Sequence, residues 1–212
     1  MGIAERKERE RLQRREDIVD AAEKVFFSMG LKNATMDDVA DAAELSKGTL
    51  YLYFKSKEEL YLAIHLRGLA LLVNLFKKAV KPNMNGLQQT LAIGRAFFRY
   101  YQDYPDYFDA LSYYEFNDIK DQEEGSIAHE CMHAGHESLG ILVEALETGI
   151  QDGSIRPDID PFSTAIILWG QTSGVINLLS LKGQHFEHEH KIDMKPMMEY
   201  AFSLAKKSIQ KD

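Results

Sequence analysis

The chain has 212 residues, 45% of them hydrophobic, enough for one large domain or for a small and a medium one around a real core. A formal net charge of −8, read as a single number, argues against a nucleic-acid partner, and the single cysteine, Cys131, excludes an intramolecular disulfide and fits a reducing cytoplasm. The first residues, MGIAERKERERLQRRED, lack the apolar core of a signal peptide, and apolar runs such as 69–73 fall far short of a membrane span, so a cytoplasmic chain with no membrane partner is expected.

Helices, and no convincing strands, are predicted along the chain, which makes the fold class all-α. The first long helix runs from around Glu8 to Met29, with Gly30 as its stop. Charge is unevenly placed there: Arg6, Lys7, Arg9, Arg11, Arg14 and Arg15 stand against Glu8 and Glu10, while most of the acid follows residue 100. An acidic body behind a basic face still binds phosphate, because exposed charges more than about 10 Å apart are largely screened at physiological salt. The arm reads equally as a solvated helix extension with Glu–Arg pairs one turn apart. Next, Thr35 can cap a short helix, with Asp38 completing a capping box, and Met36, Val39, Ala40 and Ala43 recur at helical spacing. After a tight turn Ser46 can cap a second helix whose Leu50 and Phe54 point inward. Lys47, Gly48, Thr49, Tyr51 and Tyr53 are left facing out, a small, basic and aromatic face that suits a helix laid in the major groove.

The run A-x-x-A-x-L-S-K-G-T-L-Y-x-Y-F-K-S-K-E-E-L over 40–60 resembles the DNA-binding domain of the TetR family of bacterial transcriptional regulators. Ile18, Val19, Asp20, Ala21 and Ala22, with Phe26 and Gly30, reinforce the likeness upstream. It departs at Glu44, where the family often has glycine; a non-glycine residue held left-handed costs about 1 kcal/mol. The resemblance implies a helix-turn-helix domain with its basic arm over 1–55 and a helical ligand-binding and dimerisation domain over 56–212. It implies a homodimer on a palindromic operator of double-stranded DNA, most simply a repressor released by a small-molecule effector, with no cofactor and no enzymatic activity. Lys47, Gly48 and Thr49 come nearest the groove, after the Ser46 cap. By resemblance Tyr51 and Tyr53 reach phosphates or thymine methyls, and Thr35 and Lys57 meet phosphates at the first turns of the flanking helices.

A further helix begins at Ser56 with a capping box to Glu59, and others are predicted over 87–104, 106–116, 122–151, 161–181 and 194–209. Residues 183–193, polar and rich in histidine, read as a loop. In TetR-like proteins the last two long helices carry the dimer contact, here 161–181 and 194–209. Trp169, Gly170, Gly174 and Leu178 fall close to one face there, which suits packing between subunits or an internal core. Ten aromatics crowd residues 97–116, among them Phe97, Phe98, Tyr101 and Phe108. They fit walls around an apolar or aromatic effector, and they fit plain core; 97–116 and 161–181 are the favoured ligand regions.

One rival motif stands apart. His129-Glu130-Cys131-Met132-His133 spells H-E-x-x-H, the zinc-hydrolase helix signature, and His136 extends the stripe by one turn. The longer form of that signature needs glycine at 136 and histidine at 139, where this chain has His136 and Leu139. His129, His133 and His136 share the polar edge of their helix with Glu144 and Glu147, so the expected metal content is none, with a metal sensor or a zinc-dependent hydrolase as the alternatives.

Overall fold

The computed structural model describes residues 2–116, 123–191 and 193–211. Among the described residues no strand forms and nine helices follow in order. They are α1 Ile3–Met29, α2 Met36–Ala42, α3 Lys47–Tyr53, α4 Lys57–Ala79, α5 Gly86–Asp103, α6 Pro105–Phe116, α7 Ile127–Asp152, α8 Pro161–His190 and α9 Met194–Ile209. The described residues fall into two compact units. One takes those within 1–68 and 119–131, the other those within 69–118 and 132–212.

Several boundaries differ from expectation for local reasons. α1 begins at Ile3 rather than Glu8, because the Gly2 N–H finds Glu5 at 2.8 Å and the pairs Arg6–Glu10 and Glu8–Arg11 brace the exposed first turns. The loop expected over 183–193 is helix as far as His190. Gly183 has open space around it and no proline interrupts the run, so the helix continues until Lys191 turns left-handed at φ 54°. α7 starts at Ile127, with Ser126 Oγ accepting from the His129 N–H at 3.1 Å. Its expected start at Gln122 lies outside the described residues, as does Ile192.

Apolar length was also underestimated. α4 and the segment Pro161–Gly183 of α8 are each long and apolar enough to cross a membrane by length and composition. In α4, 56% of that apolar window is buried inside the fold, which marks a core helix; in α8 only 28% is, leaving an apolar face outside.

In the first unit, α1 buries Ile18, Val19, Ala22, Val25 and Phe26, every one from the 3.6-residue repeat of its second half. α2 adds Met36, Val39 and Ala40, α3 adds Leu50, and α4 adds Leu60 and Ile64. Phe26 meets Tyr61 edge to face at 5.7 Å. The Arg67 guanidinium of α4 joins three carboxylates of α1: Glu16 at 2.6 Å, Asp20 at 2.7 Å and Glu23 at 2.9 Å. One half-buried cation thus holds three anions on neighbouring turns and ties α4 to α1.

In the second unit, α5 starts hard against α7. A Cβ on Gly86 would overlap the main chain of Gly149, and a Cβ on Gly149 would overlap Ile155. Asp152 accepts from the Gly86 N–H at 2.7 Å and Ser154 from the Leu87 N–H at 3.1 Å, so the first amides of α5 are capped across the crossing. At the other side of α5, Gly94 lies under the Phe202 ring and Arg95 pairs with Glu199 of α9 at 3.0 Å.

Replacing Gly86 by alanine should lower the unfolding free energy by about 2–3 kcal/mol, because a backbone has to move. Urea unfolding checks this. His65 of α4 is buried, and burial pushes its pKa down from 6.5 to about 4. The folded state keeps it neutral while the unfolded chain takes up a proton below 6.5. The stability it carries is therefore complete above pH 6.5 and is lost as pH falls towards 4, by about 3 kcal/mol in all. Stability of His65→Leu, measured between pH 7 and pH 4, should fall less steeply than that of the wild type by this amount.

Candidate functional site

α2 and α3 are seven residues each and are held by their ends. The Asp38 N–H donates to Thr35 Oγ1 at 3.2 Å and the Thr35 N–H donates to Asp38 Oδ2 at 2.8 Å, the expected capping box. The hydrogen bond from the Thr35 hydroxyl, more than the main-chain one, holds the Asp38 carboxyl below its ordinary pKa. Beyond α2 the Glu44 N–H bonds the Asp41 carbonyl at 3.1 Å and the Leu45 N–H bonds the Ala40 carbonyl at 2.9 Å. This is a Schellman turn, whose pivot must be left-handed, and Glu44 takes that conformation at φ 55° where glycine would be unstrained. Ser46 then accepts from the Thr49 N–H at 3.1 Å, and its hydroxyl lies 2.8 Å from that of Thr49.

α3 buries Leu50 completely, and Phe54, which follows it, is also 0% exposed. The Arg15 guanidinium lies over the Phe54 ring at 5.1 Å. Lys47 and Gly48 are exposed, Thr49 and Tyr53 half-buried at the flanks, and Tyr51 is 38% exposed. Leu52 is 77% exposed and was absent from the expected set. The signal for it was available: two residues from the buried Leu50 is about 200° around a helix, the far side.

Two lysines of the set have partners that the sequence did not suggest. Lys47 Nζ stands 2.6 Å from a carboxylate oxygen of Asp37, in α2. That hydrogen bond first, then the charge, raises the Lys47 pKa. Lys57 Nζ donates to the carbonyls of Leu31 at 2.8 Å and Ala34 at 3.1 Å, closing the loop between α1 and α2. Thr35 is exposed, with its hydroxyl engaged to Asp38 Oδ2 at 2.6 Å. In the arm, Lys7 and Arg14 have no ionic partner among the described residues.

The histidine stripe of α7 lies at the surface: His129 half-buried, His133 and His136 exposed. Among the described residues no three His, Cys, Asp or Glu side chains come together as metal ligands would. Cys131 is buried, its thiol 3.5 Å from the Leu62 carbonyl, and burial pushes its pKa up to about 12, so it carries no thiolate at neutral pH.

The second unit contains a narrow apolar cleft with a cavity volume of about 40 Å³, partly open to solvent. Its wall includes Phe76 of α4, Ile93 and Phe97 of α5, Leu142 of α7, Leu168 and Trp169 of α8, and Phe202 of α9. Phe97 and Trp169 stack at 4.9 Å, and Phe76 stands edge-on to both. Two hydroxyls in the wall are already bonded to their own helices, Thr90 to the Gly86 carbonyl at 2.9 Å and Thr172 to the Leu168 carbonyl at 2.8 Å. The wall therefore offers a ligand hydrocarbon. Among the described aromatics of 97–116 only Phe97 reaches the cleft; Phe98, Tyr100 and Phe108 are buried elsewhere in the unit. Trp169 turns inward to the cleft, whereas Gly170, Gly174 and Leu178 face out, so the four do not share one face.

Residues 18–64 match the family model described as bacterial regulatory proteins, tetR family. The chain is 31% identical over 151 residues to the HTH-type transcriptional repressor KstR2 of Rhodococcus jostii (strain RHA1), covering 69% of this chain and 70% of that one. It is 40% identical over 86 residues to the HTH-type transcriptional activator FasR of Mycolicibacterium smegmatis, covering 41% of this chain and 39% of that one. The crystal structure of FadR from Bacillus subtilis in complex with stearoyl-CoA superposes with a TM-score of 0.71 at 18% identity, over 90% of this chain and 96% of that one.

Lys57→Ala strands two loop carbonyls and should lower the stability of the first unit by about 1–2 kcal/mol, while Lys57→Arg should recover part of it. Thermal unfolding followed by circular dichroism distinguishes the two variants.

Proposed function

We propose that this chain, which belongs to the TetR family of bacterial regulatory proteins, is a repressor that binds a palindromic operator as a homodimer and lets go when an apolar ligand enters the cleft. The observation that carries the reading is the division of α3 into a side with Leu50 fully buried and a far side of Lys47, Gly48, Thr49 and Tyr51. A helix so divided can lie in the major groove without exposing core. Gly48 lets the backbone approach, and Lys47 and Thr49 donate to base edges or phosphates, with Ser46 fixing Thr49 through the cap. Lys47 is free to do so because an ion pair as exposed as that with Asp37 is weak and screened by salt. Tyr51 and Tyr53 flank the contact. Thr35 and Lys57 meet phosphates, Lys57 with the N–H left over from its two carbonyls.

One such helix reads too few base pairs for specific affinity, so a second copy is required, with the two half-sites one helical turn apart, about 34 Å. The outer face of α8 supports this assembly. Phe162, Ile166, Ile167, Leu178 and Leu181 are exposed there, interleaved with Gly170 and Gly174, which have open space above them. Tyr200 and Leu204 of α9, which packs on α8, extend the apolar surface. Such a patch on a soluble regulator needs a partner, and an identical one meets it face to face.

For the effector, the hydrocarbon wall favours a long-chain or flat apolar molecule over a sugar or an amino acid. The stearoyl-CoA held by the FadR structure supports an acyl chain. Release needs differential binding: a 100-fold drop in operator affinity takes about 2.7 kcal/mol. Phe76 links the cleft to α4, and a ligand that displaces it moves the helix whose first residue is Lys57. Repression rather than activation is supported by the relative matched over most of its length, KstR2; the likeness to the activator FasR covers less than half.

Selection from a random DNA pool should return an inverted repeat, and stearoyl-CoA at micromolar concentration should release it. The double substitution Ile166→Glu, Leu178→Glu should convert the protein to a monomer by sedimentation and weaken operator binding at least 50-fold. A wild-type protein that stays monomeric on DNA would contradict the assembly.

A further inference from the structure

We infer that Leu52 is a specificity-determining residue that reads the methyl group of a thymine, a role that rests on the DNA-binding reading above. The geometry of α3 puts it at the centre of the outward face. Leu50 is fully buried, and the positions two residues either side of it, Gly48 and Leu52, lie on the opposite side of the helix one turn apart. Lys47 with Tyr51 forms one flank of that ridge, and Thr49 with Tyr53 the other. Gly48 has nothing but the Ser46 hydroxyl near the place of a Cβ, at 3.9 Å, so the ridge is low at one end and the leucine stands up at the other.

Leu52 is 77% exposed, twice as much as the neighbouring Tyr51 at 38%, and is the only large aliphatic residue that α3 leaves in solvent. An isolated exposed leucine usually needs no explanation. This one sits where polar side chains surround it and where a groove floor would come. The major groove displays one apolar group, the C5 methyl of thymine, and that is what an apolar side chain among polar neighbours recognises. The four base pairs are then told apart by a division of labour: Lys47 and Thr49 read hydrogen-bonding edges, and Leu52 reads a methyl.

The test uses the full-length protein and duplexes it selects from a random pool. Each thymine of the selected site is replaced by deoxyuridine, one symmetric pair at a time, which removes the methyl and keeps the pairing. At one pair of positions the wild type is expected to lose about 15-fold in affinity, roughly four-fold per half-site for a methyl-sized group. Leu52→Ala is expected to lose a similar factor on the thymine duplex and to be indifferent to that replacement. Leu52→Met, which keeps an apolar tip, should retain the sensitivity. Losses from Leu52→Ala and from deoxyuridine that multiply at every position would overturn the assignment, as would a Leu52→Ala protein that binds every duplex like the wild type, which would give the leucine to a protein partner. A wild type that selects no duplex at all would overturn the DNA-binding reading itself, a result distinct from either.

Discussion

An isolated helix needs about 12–15 residues before it is even marginally stable in water, and α3 has seven. It exists because Ser46 Oγ accepts from the Thr49 N–H and because Leu50 and Phe54 are completely withdrawn from solvent. That burial does more than stabilise the helix. With a period of 3.6 residues, fixing Leu50 inward fixes Gly48 and Leu52 outward, and with them the whole order of side chains on the outer face. The strained turn at Glu44 belongs to the same constraint: the chain accepts a left-handed glutamate so that α2 can stop in time for Ser46 to start α3.

Charge is organised on the same local scale. The net −8 says little about the face that matters, because the basic residues of α1 and α3 are either paired in place or exposed. Arg67 is committed to three carboxylates of α1 and so acts as a structural clamp. Lys57 closes the loop between α1 and α2 through two carbonyls. Lys47 is held only by an exposed aspartate, a weak and salt-sensitive bond that a phosphate can replace.

In the second unit the apolar residues serve two surfaces. α8 sends Ala165, Ile176 and Leu179 into the core and Trp169 to the cleft, while the residues between them form an outer stripe. A helix apolar on both sides has the length and hydropathy of a membrane span, as α8 has; a core and a cleft account for its inner side, and the proposed partner copy would cover the outer one. The tight meeting of Gly86 with Gly149 and of Gly94 with Phe202 anchors α5 between α7 and α9, so the cleft wall is set by contacts with little slack.

The sequence by itself determined the local rules: caps at Thr35 and Ser46, stops at Gly30 and the Glu44 turn, and the inward pair Leu50 and Phe54. These depend on residues within one or two turns of each other, so periodicity and capping chemistry suffice to read them, and the family follows from the run over 40–60 with the matching residues upstream between 18 and 30. Tertiary structure alone decided which aromatic of 97–116 meets the cleft, which way Trp169 turns, and that Lys57 is drawn to carbonyls some two dozen residues upstream. It also decided that Asp37 occupies Lys47 and that the histidine-rich run after Gly183 stays helical. Each of these rests on which helix happens to lie alongside. A helical repeat gives the direction of a side chain relative to its own axis, and only the packing of several axes says what stands in that direction.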